Sequence, residues 1–391
     1  MPKLTRKILI ITNYGHGGVE SMLKLVLGYL KKYESNISLA CYAPYSLYPK
    51  LSVPFKDIFS KKKPKYITDN YLKCKRYLIG SKLPELEYNH HYNELWVKII
   101  NDHEVFFNIS GTIITAYALY KEKKHFFNWV ASPLYGDRYI RVKNFPIHRK
   151  FFDKLIVEKK IYKIEKEILN YNKQKLFALS EYTKKNLSKK ISSSNKINIL
   201  RYGLDTNIFY PSSKKVNKNE INLGFIGRFE DPRKNINFLI KIYSKIQILF
   251  KYQTNLLLIG SLDKKYKNIK NIKIYPFVIN QNKLREFYNK IDFFIVSSYQ
   301  EGLCISALEA MACGCIVLST ECHGTREYLS DSKVGYYLDG DVDSFVNKIE
   351  KLNIKKSIYL KMSNDAVDRI NNIYSKKKFY KDFDRVMKAF I

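Results

Sequence analysis

Two successive series of short apolar runs, each run followed by a longer segment of helical period, constrain this 391-residue chain most strongly. The first series opens with residues 7–12 (KILIIT) and continues at 37–42, 104–109, 126–131, 154–157 and 175–179. Between the first two runs, residues 20–33 place apolar side chains at 22, 23, 26, 27 and 30, the spacing of one helical face. The second series is INLGFIG (221–227), NLLLIG (255–260), 271–278, 292–298 and 315–320, with helix-like segments at 235–250 and 281–290. Such alternation predicts parallel sheets flanked by helices, hence an α/β protein of two similar domains. Residues Tyr210 to Asn219 between the series are polar, contain Pro211 and read as a linker. The expected division is 1–205, a linker at 206–220, a second domain at 221–369, and a tail at 370–391. From 355 onward the pattern is helical, without glycine or proline.

Composition narrows the class. Hydrophobic residues make up 46%, enough for large cores, which excludes a mainly disordered chain. Lys plus Arg total 69 against 36 acids, a formal charge of +33. Two readings stay open: anionic partners, or a genome that favours lysine codons. The basic start from Pro2 to Lys7 mimics a secretory leader, but its apolar run stops at Thr12-Asn13, short of the roughly 7–15 residues such a leader needs. No uncharged apolar stretch of about 18 residues suggests a membrane span. Cys304, Cys313, Cys315 and Cys322 crowd together, but without the spacing of a structural zinc site. They read as small buried residues of a reducing cytoplasm.

Three strings carry chemistry. After the first strand comes Asn13-Tyr14-Gly15-His16-Gly17-Gly18-Val19-Glu20. Its glycines allow close backbone approach, and the following helix N-terminus favours a phosphate or sugar. An ordinary strand–helix turn would look the same. The second series opens with Gly227-Arg228-Phe229-Glu230-Asp231-Pro232-Arg233-Lys234-Asn235. Arg228 offers a planar fork and Lys234 a point charge, a combination suited to a diphosphate. Third is Glu301-Gly302-Leu303-Cys304-Ile305-Ser306-Ala307-Leu308-Glu309-Ala310. Glu309 falls on a helix of small and apolar residues, where a carboxylate is costly without a partner. A sugar or ribose diol would satisfy it, as would an ion pair within the domain.

That third string resembles the E-x7-E signature of retaining glycosyltransferases of family 4. These enzymes have the GT-B fold: two Rossmann-like domains facing across a cleft, with a C-terminal helix crossing back to the first. The resemblance runs through Gly17-Gly18, Ser180-Glu181-Tyr182-Thr183, Tyr202-Gly203-Leu204-Asp205, Gly227-Arg228 with Lys234-Asn235, Leu258-Ile259-Gly260 and Pro276-Phe277-Val278. It implies a nucleotide-sugar donor, with UDP or GDP as carrier. The first domain would bind the acceptor and the second the donor, and residues 370–391 would supply the returning helix. By the same resemblance Arg228 and Lys234 hold the diphosphate, Glu301 binds sugar hydroxyls and Glu309 the ribose. Amides of Gly302, Leu303, Cys304 and Ile305 face the sugar and phosphate. Gly227 ends the strand, Phe277 and Val278 lie near the base, and Gly17 and Gly18 let the first domain approach the sugar phosphate. No metal and no cofactor is expected: Asp339-Gly340-Asp341 has the spacing of a metal-binding acid pair but reads as a surface turn.

The chain departs from the pattern on the acceptor side. Trp129-Val130-Ala131-Ser132 carries alanine where relatives often have histidine, and Tyr202 stands where asparagine is usual. The implied acceptor is a glycan or lipid-linked molecule of bacterial surface polysaccharide or lipopolysaccharide synthesis. Residues 56–76 hold eight basic and two acidic residues, with Phe59, Tyr66 and Tyr71 interleaved; residues 138–175 hold twelve and four. Both suggest attachment to an anionic inner-membrane surface from its cytoplasmic face. A nucleic-acid-binding protein is the rival that the charge suggests, but no zinc-finger, RNA-recognition or helix-turn-helix signature is present. A nucleotide-sugar epimerase of the same architecture is a second rival, whose strings are not recognised here.

Overall fold

The computed structural model describes residues 6–391 except 16, 32–35, 192–196, 213–219, 261–265, 267, 268, 279, 389 and 391. Residues 2–5 of the basic start, His16 and residues 213–219 of the expected linker therefore lie outside the described residues. The chain forms two compact units, Met1–Leu200 with Phe383–Ile391, and Arg201–Asp382.

Among the described residues the first unit contains an eight-stranded sheet. Its strands are β1 (Lys7–Thr12), β2 (Asn36–Tyr42), β3 (Tyr66–Tyr71), β4 (Cys74–Ile79), β5 (Val105–Ser110), β6 (Phe126–Val130), β7 (Gln174–Ala178) and β8 (Asn198–Ile199). They lie in the order β3-β4-β2-β1-β5-β6-β7-β8. Every pair is parallel except the β3–β4 hairpin. β5 and β6 are buried along their whole length, as befits strands covered on both faces. Buried Asn108 donates to Asn128 Oδ1 at 2.8 Å, and Asn128 to Gln174 Oε1 at 2.9 Å. This polar ladder crosses three strands and gives the Asn108 and Asn128 NH2 groups acceptors inside the core.

The second unit holds a six-stranded, all-parallel sheet among the described residues. β9 (Glu220–Ile226), β10 (Gln253–Ile259), β11 (Ile272–Tyr275), β12 (Phe293–Val296), β13 (Ile316–Thr320) and β14 (Gly335–Leu338) lie in the order β11-β10-β9-β12-β13-β14. Chain order reverses between β9 and β12. In open sheets of this kind ligands gather at the carboxyl edge, at such a switch point.

Three segments differ from the sequence reading. Residues 154–157, expected as a strand, form a π-helical turn (Asp153–Val157) inside a continuous helix from Ile147 to Leu169. A four-residue apolar run fits either periodicity, and here Val157 is buried while Leu155 and Ile156 are about half exposed. Residues 66–79, treated as part of a charged surface segment, form the β3–β4 hairpin. There Tyr71 donates to Glu20 Oε1 at 2.8 Å and Tyr66 packs edge-on to Tyr77, so Phe59 is the one fully exposed aromatic of the three. The tail is two helices, Lys356–Ile373 and Lys376–Lys388, interrupted where Ser375 bridges to Leu204. The end of the second helix belongs to the first unit: Phe383 meets the rings of Tyr29 and Phe127, and Tyr29 donates to Asp384 Oδ1 at 2.5 Å.

Candidate functional site

β9 delivers Gly227 to the carboxyl edge of the second sheet, where its amide donates to Ile259 O at 3.1 Å. A Cβ at Gly227 would sit 3.1 Å from the Phe225 ring, a tight contact, and 3.6 Å from Lys234 Cδ, an ordinary one, so glycine here mainly accommodates the ring. Asp231 then caps a short turn, Pro232–Lys234, by accepting from the Arg233 amide at 3.1 Å. Its carboxylate also accepts from Arg233 Nη2 at 2.7 Å. Burial pushes this carboxyl up, but Arg233 outweighs it and holds the group below its usual range. Arg233 is thus neutralised locally. Arg228 touches Asp231 only at 3.3 Å, with its side chain 61% exposed.

Lys234 points the other way. Its Nζ lies 2.7 Å from Glu301 Oε1, and Ser298 Oγ donates to the same oxygen at 2.7 Å. Among the described residues both bonds fall on Oε1, and Oε2 has no hydrogen-bond partner. Burial disfavours the ammonium, but the Glu301 charge more than offsets this and raises the lysine above its usual value. Lys234 is therefore firmly cationic. The backbone is pinned from β12: Ser297 Oγ donates to Lys234 O at 2.7 Å, and the Tyr299 amide donates to Arg233 O at 2.8 Å.

The glutamate loop is clamped from the other side. The Glu301 amide donates to Cys322 O at 3.1 Å, and Glu301 bridges to His323. A Cβ on Gly324 would fall 2.5 Å from Glu301 O and 2.7 Å from Gly302 C, so only glycine permits this approach. Tyr328 donates to Leu303 O at 3.0 Å, and Leu303 is buried. Cys304 takes a left-handed backbone, φ 62°, and starts the helix Ile305–Ala312. The first amides of that helix have no intrahelical acceptor and form a site for negative charge. Burial, and next the Glu301 charge, push the Cys304 thiol up to about 12, which disfavours its thiolate. Cys315 and Cys322 are buried among other partners, the carbonyls of Tyr288 and Ile291 for the first, Ser319 and Thr325 for the second.

Glu309 lies one turn further along, half-buried. Tyr288, fully buried, donates to its Oε2 at 2.7 Å. Burial still drives the carboxyl up to about 7, against the pull of that hydrogen bond. The sequence reading did not identify Tyr288, whose position on a helix face gives no chemical signal. It also did not single out Ser298 or Gly324. Phe277 is 52% exposed and Val278 half-buried, on the segment after β11. Gly227, Lys234 and Glu301 thus come into direct contact or sequence, with Gly302, Leu303, Cys304 and Ile305 continuing from the glutamate. Asp341, of the acid pair considered above, caps the helix Val342–Ile354 by accepting from the Ser344 amide at 3.0 Å.

In the first unit Gly17 precedes the helix Gly18–Leu30 with φ 135°, and no atom lies within 4 Å of the Cβ it lacks. There the backbone conformation, not space, calls for glycine. Asn13 Oδ1 accepts from the Gly111 amide at 2.7 Å and ties the ends of β1 and β5. Ser180 caps the helix Glu181–Ser188 by accepting from the Thr183 amide, and Thr183 Oγ1 donates to Ala131 O at 2.9 Å. Position 131, whose methyl offers no polar group, contributes its carbonyl to this frame.

The solved sucrose-phosphate synthase of Thermosynechococcus elongatus superimposes with TM-score 0.75 at 14% identity, covering 98% of both chains. Anabaena HepE, solved in complex with UDP-glucose, gives 0.69 at 12% identity, covering 98% of this chain and all of that one. The chain has the GT-B fold. Residues 207–369 of this GT-B chain match the family described as glycosyl transferases group 1, a span that includes Gly227, Arg228, Lys234, Phe277, Val278 and residues 301–309. The capsular polysaccharide biosynthesis glycosyltransferase CapM of Staphylococcus aureus is 24% identical over 236 residues, 55% of this chain and 62% of its own. The aligned region thus spans less than two thirds of that relative's length.

Proposed function

We propose that this GT-B chain is a retaining, metal-independent glycosyltransferase. It would move a sugar from a UDP- or GDP-sugar to a glycan or lipid-linked acceptor of bacterial surface polysaccharide or lipopolysaccharide synthesis. The observation that carries the reading is the Lys234–Glu301 contact at the switch point, next to an open helix N-terminus. It provides a fixed cation and helix amides for a diphosphate, and an open carboxylate oxygen for a sugar hydroxyl. Support for the donor class comes from the UDP-glucose held by HepE, and for the pathway from CapM's role in capsule synthesis.

The chemistry follows from these groups. The bond between the anomeric carbon and the diphosphate oxygen breaks while Arg228, Lys234 and the amides of Cys304 and Ile305 neutralise the departing charge. The acceptor oxygen bonds to the same face of that carbon, and its proton passes to the leaving phosphate oxygen. No protein base is required, which agrees with alanine at position 131. Glu301 holds the sugar, and Glu309 the ribose, so that the reacting atoms stay aligned. The protein would work at the cytoplasmic face of the inner membrane. Among the described residues no helix is long and apolar enough to cross it, and the basic, aromatic segments of the first unit supply surface contacts.

The test is proton NMR of the product linkage, made in excess EDTA. A retained anomeric configuration is expected. Inversion, or activity lost to EDTA and restored by magnesium, would overturn the mechanism.

A further inference from the structure

A cavity of about 660 Å³ opens in the first unit. Tyr88, Tyr92 and Tyr117 form one wall; Leu155, Ile156, Lys159, Lys160 and Lys163 form the other. Two of the tyrosines are fixed: Tyr92 and Tyr117 meet edge to face at 5.9 Å, and Tyr92 donates to Glu122 Oε1 at 3.0 Å. The lysines are exposed, and among the described residues none of the three is paired with a carboxylate. Of the acids on this helix, Asp153 binds Arg138 and Glu165 binds Lys190, while Glu158 lies close to Tyr162 and Glu167 close to Tyr117 and Tyr120. Lysine abounds in this chain, so free lysines alone mean little. Here they rim a concave, aromatic-walled space large enough for a small ligand.

A second observation gives the ligand its other end. On the same continuous helix Ile147, Phe151 and Leu155 follow at four-residue intervals and are 86%, 68% and 47% exposed. Phe152 packs edge-on to Phe55, itself part of a segment that presents Phe59 fully to solvent. An apolar stripe therefore runs along the helix to the lip of the cavity. Soluble surfaces rarely expose so many large apolar side chains in a row, and interfacial helices do.

We infer that this cavity binds the phosphate headgroup of an anionic amphiphile, with its alkyl chain along Leu155, Phe151 and Ile147. Lys159 and Lys163 meet the phosphate as point charges, while the tyrosines flank the headgroup. The inference rests on the proposed function only in that such an amphiphile is a lipid-linked acceptor; the binding itself needs no transfer. Calorimetric titration of the full chain with decyl phosphate, below its micellar threshold, tests it. Saturable binding is expected, with neither inorganic phosphate nor neutral decyl maltoside binding at the same concentration. The Lys159→Gln/Lys163→Gln double variant should fold normally and bind decyl phosphate about tenfold more weakly or worse. Equal binding of inorganic phosphate, equal binding of the maltoside, or undiminished affinity of the double variant would each overturn it. Nucleotide binding, recorded on the same samples, reports separately on the glycosyltransferase reading: lost amphiphile binding with intact nucleotide binding sinks only the cavity.

Discussion

Glu301 and Glu309 differ in what surrounds them, so their losses should differ. Glu301 faces Lys234 and Ser298 through one oxygen, and the proposed function gives its other oxygen to the sugar. Glu301→Gln keeps the shape and removes the charge; turnover should fall roughly ten- to a hundred-fold, the worth of one good charged hydrogen bond. Glu309 is assigned to the ribose, which changes little in the reaction, so its loss should raise KM more than it lowers kcat. Steady-state kinetics of both variants separates the two roles. Glu309 also predicts a pH signature. Burial raises its carboxyl to about 7, above a glutamate's ordinary 4.5, so the folded chain holds this proton more tightly than the unfolded chain does. Its contribution to stability is full below about 4.5 and is lost as pH rises through about 7. Thermal melts of wild type should therefore fall relative to Glu309→Gln across that window. Donor affinity should move oppositely, rising as the carboxylate ionises to accept ribose hydroxyls, and the glutamine variant should flatten that rise.

At the scale of elements, the turn between β12 and the helix Ile305–Ala312 is held in place by contacts that no side-chain chemistry announces. Gly324→Ala should push the Glu301–Gly302 backbone aside, lowering turnover and melting temperature together, although residue 324 offers no side chain to any ligand. Cys304 is held with φ 62°, where a β-branched side chain is strained. Cys304→Val should cost about 1–3 kcal/mol in denaturant unfolding, and Cys304→Gly less. These contacts also mark the limit of what the sequence reveals. Strands β1, β5 and β9 were legible because continuous apolar runs ending in polar or glycine residues have few alternatives. The E-x7-E string was legible because a carboxylate on an apolar helix is an anomaly. Residues 154–157 misled because four apolar residues fit a helix as well as a strand. The β3–β4 hairpin was hidden because β3 is mostly exposed and polar, and only the second half of β4, Tyr77 to Ile79, is buried, while Arg76 and Asp69 pair across the two strands. Tyr288, Ser298 and Gly324 act through tertiary neighbours 21, 3 and 23 positions from the glutamates they serve, and local pattern carries no trace of that.

At the scale of the whole molecule, the charge of +33 is spread over both units, yet the exposed apolar residues of the helix Ile147–Leu169 and of the Phe55–Phe59 segment concentrate in one. Sedimentation with anionic vesicles at low salt should carry the protein down, and Phe59→Ser/Phe151→Ser should leave it in the supernatant; retention of both variants on the vesicles would favour charge alone. The account stands most directly on its donor site. Calorimetric titration of UDP, GDP and ADP in EDTA should show one nucleoside diphosphate binding to wild type. Affinity should drop about tenfold or more in Arg228→Ala and in Lys234→Ala, with circular dichroism unchanged. If none of the three binds, or if the folded Lys234→Ala variant binds as well as wild type, the donor site proposed at the β9–β12 switch point is contradicted.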